Sequence, residues 1–202
     1  MHVRETPIPG VLLFEPTPHH DERGWFSRTF DAAVARAAGV DADAFLQDSQ
    51  SRTLGGGLRG LHGRTGAGEA KLVRCARGAI FDVVVDARPG SPTMGRWASF
   101  RLDDQHLQSV YIPRGCLHGF QAITDAADTC YRIDALHDPA EDVTVRFDDP
   151  ELGIPWPLPV RVMSLKDEQG RSWRDLERLL VRADAAATPA EPGLDVVSAQ
   201  RT

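Results

Sequence analysis

The stretch Ile112-Pro113-Arg114-Gly115-Cys116-Leu117-His118-Gly119-Phe120 decides the fold prediction. Pro113 fixes the backbone of a turn, and Gly115 supplies the permissive backbone that completes it. The residues that follow, Leu117 to Ile123, are apolar enough to form a strand. We therefore expect a tight turn leading into a strand that carries His118.

Short apolar runs of the same kind recur along the chain, separated by Gly and Pro. The clearest is Ile80 to Asp86, in which Phe81, Val83 and Val85 share one face. Asp82 and Asp86 fall on the other face, which must therefore meet either water or a polar cavity. The remaining predicted strands are Val11 to Phe14, Lys71 to Cys75, Gln108 to Ile112, Val143 to Phe147 and the alternating stretch Ala127 to Asp134. Many short strands indicate an antiparallel sandwich or barrel.

Helical patterns are limited to two places. Asp31 to Ala38 is Ala-rich, has Asp31 as an N-cap and ends before Gly39. Ser172 to Val181 places Trp173 and three leucines at helical spacing. The chain becomes Ala- and Pro-rich from residue 183 onwards. We predict one domain over residues 1–182, all-β with a few short peripheral helices, followed by a flexible tail over 183–202.

Composition narrows the class of protein. The 202 residues include 23 Lys and Arg against 29 Asp and Glu, a net charge of −6, which argues against a nucleic-acid or anionic-membrane partner. No apolar run approaches the roughly 20 residues of a membrane helix, and the first residues lack a secretion signal. Three cysteines, Cys75, Cys116 and Cys130, do not suit a disulfide framework. We expect a cytoplasmic protein.

Two neighbouring stretches gather polar side chains that could do chemistry. Leu58-Arg59-Gly60-Leu61-His62 precedes a glycine-rich turn, and Ala70-Lys71-Leu72-Val73-Arg74 follows it. If the first stretch is a regular strand, His62 shares a face with Leu58 and Gly60, and Arg59 lies on the other face. A surface hairpin with solvated charges is the alternative. Tyr131, Lys166 and Asp167 have similarly ordinary structural explanations when each is taken alone.

The Pro-x-Gly-x-x-His pattern ending at His118 resembles the second half of a cupin, a small jelly-roll barrel. A metal-binding cupin would also have a His-x-His pair and a nearby Glu. Here His62 is followed by Gly63 and Arg64, and an arginine there would repel a divalent cation. His62, His118 and Glu69 do not form a compelling ligand set. We therefore expect no metal.

Ten segments, in order from about Val3 to Asp167, together resemble the dTDP-4-dehydrorhamnose 3,5-epimerase family. They include Asp21-Glu22-Arg23-Gly24-Trp25-Phe26, Leu58 to His62, Lys71 to Arg74, Phe81 to Arg88, Ser91 to Gly95, Ile112 to Gly115 with His118 to Phe120, Tyr131, Asp149-Pro150, Ile154 to Pro157 and Ser164 to Asp167. The resemblance implies a cupin-type jelly roll that acts on a dTDP-4-keto-6-deoxyhexose without a cofactor.

The resemblance also implies catalytic roles. Epimerisation removes a hydrogen next to the C4 ketone and returns a proton to the opposite face, which needs a base, an acid and positive charge near the ketone oxygen. By resemblance, His62 is the base, Asp167 orients it and Tyr131 is the acid. Lys71 stabilises the enolate oxygen, and Arg59 and His118 line the same cavity.

The residues implied in nucleotide binding depart more from the family. Arg23 matches its phosphate-binding arginine, which reaches the partner's ligand in the family homodimer, and Phe26 matches the aromatic neighbour of that arginine. The family usually has Glu at Arg28, Asn at Ser49 and Gln at Arg64, and its thymine-stacking tyrosine falls near Leu136 or His137. The other implied binding residues are Gln47, Asp142 and Lys166.

The family contains 3,5-epimerases of rhamnose synthesis and enzymes of antibiotic deoxysugar pathways that invert one centre. We expect an isomerase that inverts C3, and the residues suit inversion of C5 as well or C3 alone. A metal-dependent cupin dioxygenase and a non-catalytic sugar-nucleotide-binding cupin are the alternatives. Gly63 and Arg64 disfavour the dioxygenase, because they stand where the second histidine ligand of its metal should be. The binding protein is disfavoured because His62, Lys71, Tyr131 and Asp167 occur together.

Overall fold

The computed structural model describes residues 1–187, which form thirteen strands and three helices. The strands are β1 (His2–Glu5), β2 (Leu12–Glu15), β3 (His19–Asp21), β4 (Gly24–Phe26), β5 (Gln47–Leu54), β6 (Leu58–Arg64), β7 (Lys71–Arg77), β8 (Ala79–Asp86), β9 (Trp97–Asp103), β10 (Ser109–Ile112), β11 (Cys116–Ala122), β12 (Ala126–Ile133) and β13 (Asp142–Thr144). The helices are α1 (Ala32–Ala37), α2 (Leu165–Glu168) and α3 (Trp173–Ala187).

Eleven of the strands form two antiparallel sheets. One sheet has the order β1-β2-β10-β7-β12-β5, and the other has the order β13-β6-β11-β8-β9. Neighbours in each sheet come from distant parts of the chain, as in a jelly roll. The remaining two strands, β3 and β4, pair only with each other. The predicted all-β architecture with few helices is confirmed.

Strand β8 has the two faces that its sequence predicts. Ile80 and Val84 belong to the apolar cluster between the two sheets, whereas Val83 and Val85 pack on the outer face of the five-stranded sheet, beneath α3. Asp82, on the inner face, is fully buried. That inner face therefore carries core residues and a buried carboxylate, which is the polar-cavity alternative rather than the solvent one.

The two helices predicted from sequence are present. In α1 the Asp31 side chain accepts hydrogen bonds from the backbone of Ala33 and Val34, as an N-cap should. Helix α3 runs to Ala187, so the prediction of a tail from residue 183 is wrong for its first five residues; residues 188–202 lie outside the described part. The Ala and Asp residues after Arg182 are compatible with continuing the helix.

No helix in residues 1–187 is long and apolar enough to cross a membrane. Cys75, Cys116 and Cys130 are free and buried.

Candidate active site

A cavity opens at one end of the sandwich, where β5 and β6 contribute polar side chains. Its inner part, of about 280 Å³, we call the inner chamber; it is lined by Ser51, Arg59, His62, Lys71, His118, Phe120, Tyr131 and Ile133. Its outer part, of about 790 Å³, we call the outer groove; its lining includes Gln47, Ser49, Arg52, Arg64, Glu69, His137, Asp142, Lys166 and Asp167. Four residues, Arg59, His62, Lys71 and Ile133, line both parts, so the two are continuous.

His62 of β6 is held by Asp167 of the short helix α2. His62 Nε2 lies 2.7 Å from Asp167 Oδ1, and Asp167 Oδ2 accepts the Gly60 backbone N–H at 3.1 Å. Ser164 caps α2 by accepting the Asp167 backbone N–H. Burial by itself raises the pKa of Asp167, but its hydrogen bonds with His62, Gly60 and Ser164 outweigh burial and lower it. The carboxylate is therefore ionised and fixes the ring of His62.

Tyr131 of β12 reaches the chamber from the other sheet. Its hydroxyl lies 2.9 Å from Ser51 Oγ on the neighbouring strand β5, and its ring packs edge-on against His118. Burial raises the pKa of Tyr131 to about 12, although Ser51 and Arg59 act against the rise. The phenol is thus a protonated group with a proton to donate at neutral pH.

His118 lies deeper in the chamber and has its own acid partner. Its Nε2 is 2.7 Å from Asp82 Oδ2, and both side chains are buried. Asp82 Oδ1 has no hydrogen-bond partner within the described residues. His118 also pairs with His62 in the register between β11 and β6. His118 and His62 thus line the same chamber.

The prediction that Arg59 and His62 lie on opposite faces of β6 is wrong. Arg59 and His62 both line the chamber, while Leu61 lies in the apolar cluster on the outer face of the sheet. The register between β6 and β11 shifts between His118 and Phe120, so that His118 pairs with His62 and Phe120 with Arg59. This irregularity brings residues three apart to the same face, which a regular strand cannot do.

Two cations lie beside the chamber. Lys71 Nζ is 2.9 Å from Glu69 Oε1. Arg59 donates hydrogen bonds to Thr53 Oγ1 at 2.9 Å and to the Arg52 carbonyl at 3.1 Å. Both positive charges are thus held by neighbouring groups, and both side chains line the chamber.

The residues predicted to bind substrate fall into two groups. Those in the outer groove are Gln47, Ser49, Asp142 and Lys166, and the last two form an ion pair at 2.9 Å. The other group comprises Arg23, Phe26 and Arg28, which line no cavity described for this chain. Arg23, in the turn of the β3–β4 hairpin, is 89% exposed and bonds only Asp21 among the described residues. Arg28 donates to the N-cap Asp31, and its predicted part in substrate binding stays a prediction.

Several lining residues are absent from the sequence-based set. Ser51, Arg52 and Thr53 all belong to β5, whose sequence Gln47 to Leu54 is almost entirely polar and gives no apolar alternation. The sequence indication for these residues is the stretch Gln47-Asp48-Ser49, which stands where the family usually has Gln-x-Asn and which begins the same strand. Extending that stretch along a strand to Leu54 would have found them.

The residues considered as metal ligands are engaged with other groups. His62 and His118 each bond a carboxylate through Nε2, and Glu69 contacts Lys71 and Arg64. Among residues 1–187, no group of three His, Cys, Asp or Glu side chains is arranged to hold a metal ion. The expectation of a metal-free site stays a prediction.

The sequence profile of one family, dTDP-4-dehydrorhamnose 3,5-epimerase, matches residues 5–175. The chain belongs to this family. The chain is 39% identical over 172 residues to the dTDP-4-dehydrorhamnose 3,5-epimerase of Methanothermobacter thermautotrophicus, covering 85% of this chain and 92% of the relative. The predicted resemblance is therefore confirmed.

Two solved structures share the fold. NovW, a 4-keto-6-deoxy sugar epimerase from the novobiocin gene cluster of Streptomyces spheroides, superposes with a TM-score of 0.85 at 38% identity, covering 90% of this chain and 92% of that one. ChmJ, a 3'-monoepimerase from Streptomyces bikiniensis solved with dTDP-quinovose, gives 0.82 at 35% identity, covering 87% and 90%. The predicted cupin-type jelly roll and the predicted isomerase class agree with these relatives.

Proposed function

We propose that the protein is an epimerase that inverts C3 of a dTDP-4-keto-6-deoxyhexose. The observation that carries this proposal is the placement of His62 and Tyr131, which line one chamber but come from different sheets. A hexose ring between them would have a base on one side and an acid on the other. That arrangement is what inversion next to a ketone requires.

His62 is proposed as the base. A neutral imidazole has one donor and one acceptor nitrogen, and with Nε2–H donated to ionised Asp167 the lone pair is on Nδ1. His62 takes the C3 proton, and the electron pair of the broken C–H bond forms an enolate with the C4 oxygen. The imidazolium that results is stabilised by the Asp167 carboxylate 2.7 Å away.

Tyr131 is proposed as the acid on the opposite face. Its raised pKa keeps the phenol protonated until the enolate forms. It then donates its proton to C3, and Ser51, which bonds its hydroxyl, stabilises the phenolate that remains. Lys71 and Arg59 supply positive charge close to the developing enolate. Proton exchange with solvent then returns His62 and Tyr131 to their starting states.

The outer groove is proposed to take the dTDP part of the substrate. It is continuous with the chamber, and Arg52 and Lys166 line it with cations suited to a diphosphate. Gln47, Ser49 and His137 offer further polar contacts along the same wall.

A homodimer is also proposed, with Arg23 and Phe26 contributed to the partner's groove. The β3–β4 hairpin pairs with neither sheet, and it exposes Trp25, Phe26 and Arg23 to solvent in the single chain. Exposed aromatic side chains on such a projection suit burial in an interface. Cytoplasmic location is a further proposal, in agreement with three free cysteines.

The proposal is tested by product analysis with dTDP-4-keto-6-deoxyglucose in deuterated water. Deuterium at an inverted C3 supports it, and deuterium at C5 as well identifies a 3,5-epimerase. Relatives of both kinds are named, a 3,5-epimerase from M. thermautotrophicus and the 3'-monoepimerase ChmJ. If the His62→Ala variant kept the wild-type exchange rate, a binding protein with adventitious exchange would be the better account.

A further inference from the structure

Five charged side chains of alternating sign run along the wall of the outer groove. Lys71 Nζ lies 2.9 Å from Glu69 Oε1, and Glu69 Oε2 lies 3.0 Å from Arg64 Nε. Arg64 Nε lies 3.6 Å from Asp142 Oδ1, and Asp142 Oδ2 lies 2.9 Å from Lys166 Nζ. We call this set the charge chain. It begins at Lys71 in the inner chamber and ends at Lys166 in the outer groove.

Glu69 is the member closest to the chemistry. Each of its carboxylate oxygens contacts a different cation, Lys71 on one side and Arg64 on the other. The three side chains are only 10%, 12% and 5% exposed in the order Glu69, Lys71, Arg64. The shielded carboxylate of Glu69 lies between the two cations and fixes the Lys71 ammonium in one place.

The link between Glu69 and Arg64 depends on charge. Arg64 Nε and Glu69 Oε2 are at ion-pair distance, yet the contact lacks hydrogen-bond geometry, and both atoms are buried without a hydrogen-bond partner among the described residues. A neutral amide at position 69 would therefore lose most of this interaction, although it has nearly the shape of the carboxylate.

Arg64 connects the charge chain to residues 136–137, a loop segment beside the outer groove. Its guanidinium donates to the Leu136 carbonyl at 2.7 Å, and one of its nitrogens lies 3.0 Å from His137 Nδ1. His137 lines the outer groove, whereas the side chain of Leu136 is exposed. Arg64 thus holds the loop segment 136–137 in place, and it lies two residues along β6 from His62.

We propose that Glu69 and Arg64 are positioning residues that act on different parts of the reaction. Glu69 holds the Lys71 ammonium in the inner chamber, where the enolate forms, and Arg64 holds the loop segment 136–137 against the outer groove, where the nucleotide binds. This inference rests on the proposed function. It differs from a purely structural ion pair, whose loss would affect turnover and nucleotide binding together.

The test compares Glu69→Gln with Arg64→Gln by two measurements, turnover at saturating 4-keto sugar nucleotide and the affinity for dTDP alone. For Glu69→Gln we expect turnover to fall about ten- to a hundredfold, because a catalytic group is no longer fixed. Its affinity for dTDP should stay equal or become tighter, since a negative charge leaves the groove. For Arg64→Gln we expect dTDP to bind about tenfold more weakly, with saturated turnover within about threefold of wild type.

Glu151→Gln and Arg174→Gln are the matched controls. Glu151 and Arg174 form an ion pair at 2.9 Å and line neither part of the cavity. Both variants should have wild-type turnover and dTDP affinity. If Glu69→Gln does not fold, the neutral double variant Arg64→Gln/Glu69→Gln replaces it, and it should still lose turnover because Lys71 remains without its anchor.

Wild-type turnover in Glu69→Gln or in the double variant would overturn the inference. Equal losses of turnover and dTDP affinity in both single variants would overturn it too, because they would indicate general damage. Failure of the proposed function is a different result: the wild-type protein itself would leave the 4-keto sugar nucleotide unchanged while dTDP still bound, and the inference would fall with it.

Discussion

Asp167 holds both His62 and the backbone of the strand that carries it. One carboxylate oxygen lies 2.7 Å from His62 Nε2, and the other accepts the Gly60 N–H at 3.1 Å. The ring and its strand are thus fixed by the same group. Because the Asp167 carboxylate is ionised, it also selects the tautomer with the proton on Nε2.

Asp167→Asn tests this relationship. The amide can donate to Nε2 but cannot stabilise an imidazolium, so we expect turnover to fall about 10²- to 10⁴-fold. The dTDP affinity should change little, because dTDP does not require the imidazolium. Calorimetry and an initial-rate assay separate the two effects. Nearly wild-type turnover would mean that His62 does not depend on Asp167.

Tyr131→Phe separates proton removal from proton return. The variant keeps His62 and Asp167, so it should still remove the C3 proton, but it lacks the acid on the opposite face. We expect slow deuterium incorporation at C3 with retained configuration, and inversion reduced about 10²- to 10⁴-fold. NMR of the sugar nucleotide in deuterated water measures both. Unchanged inversion would assign the acid to another residue.

Ser51→Ala is a milder change at the same site than Tyr131→Phe. It removes only the hydroxyl 2.9 Å from Tyr131, one of the groups that lower the phenol's pKa. Turnover should fall by about tenfold, the value of one hydrogen bond to a charged group. A loss as large as that of Tyr131→Phe would give Ser51 itself a proton-transfer role.

Stability in acid should depend on Asp86, which is buried at the end of β8. Burial raises its pKa, but hydrogen bonds from Arg88, Ser91 and Thr93 outweigh burial and hold the pKa well below its usual value. Because the folded-state pKa is the lower one, this stabilisation is present above about pH 4 and is lost as the pH falls below it.

Asp86→Asn should therefore lower stability at pH 7 by about 3 kcal/mol, the usual cost of breaking a buried charge pair. It should also flatten the fall in melting temperature below pH 4. Thermal unfolding from pH 7 to pH 2 measures both, with exposed Glu5→Gln as the control. Parallel curves for Asp86→Asn and wild type would contradict the prediction.

The proposed dimer can be tested by mixing two defective chains. Arg23→Ala should weaken substrate binding in the partner's groove, and His62→Ala should abolish proton removal in its own chamber. In a mixed dimer, the chamber with intact His62 receives the intact Arg23 of the other chain. Random reassociation should restore about a quarter of wild-type activity, since half of the dimers are mixed and each has one complete site. If Arg23 served its own chain, no activity would return.

The features that could be predicted from the sequence depend on apolar periodicity, on a helix cap or on motifs shared with the family. Apolar residues alternate clearly along strand β8, and its side chains lie on the two faces that this alternation predicts. Helix α1 has a side-chain N-cap that is visible in the sequence. His62, Tyr131 and Asp167, which we propose for proton transfer, could be predicted because they belong to segments that resemble a family.

What the sequence did not predict depends on contacts between distant strands. Strand β5 is polar on both faces because one face lines a cavity, so periodicity could not reveal Ser51 or Arg52. The shared face of Arg59 and His62 follows from an irregular pairing with β11. The contact of Arg64 with Leu136 joins positions 72 residues apart.

The most direct test of the account is proton NMR of dTDP-4-keto-6-deoxyglucose incubated with the wild-type protein in deuterated water. Removal of the C3 proton by His62 and its replacement from Tyr131 predict deuterium at C3 in a product of inverted configuration, and no such product from His62→Ala. A substrate that binds but keeps its C3 hydrogen and configuration would contradict the account.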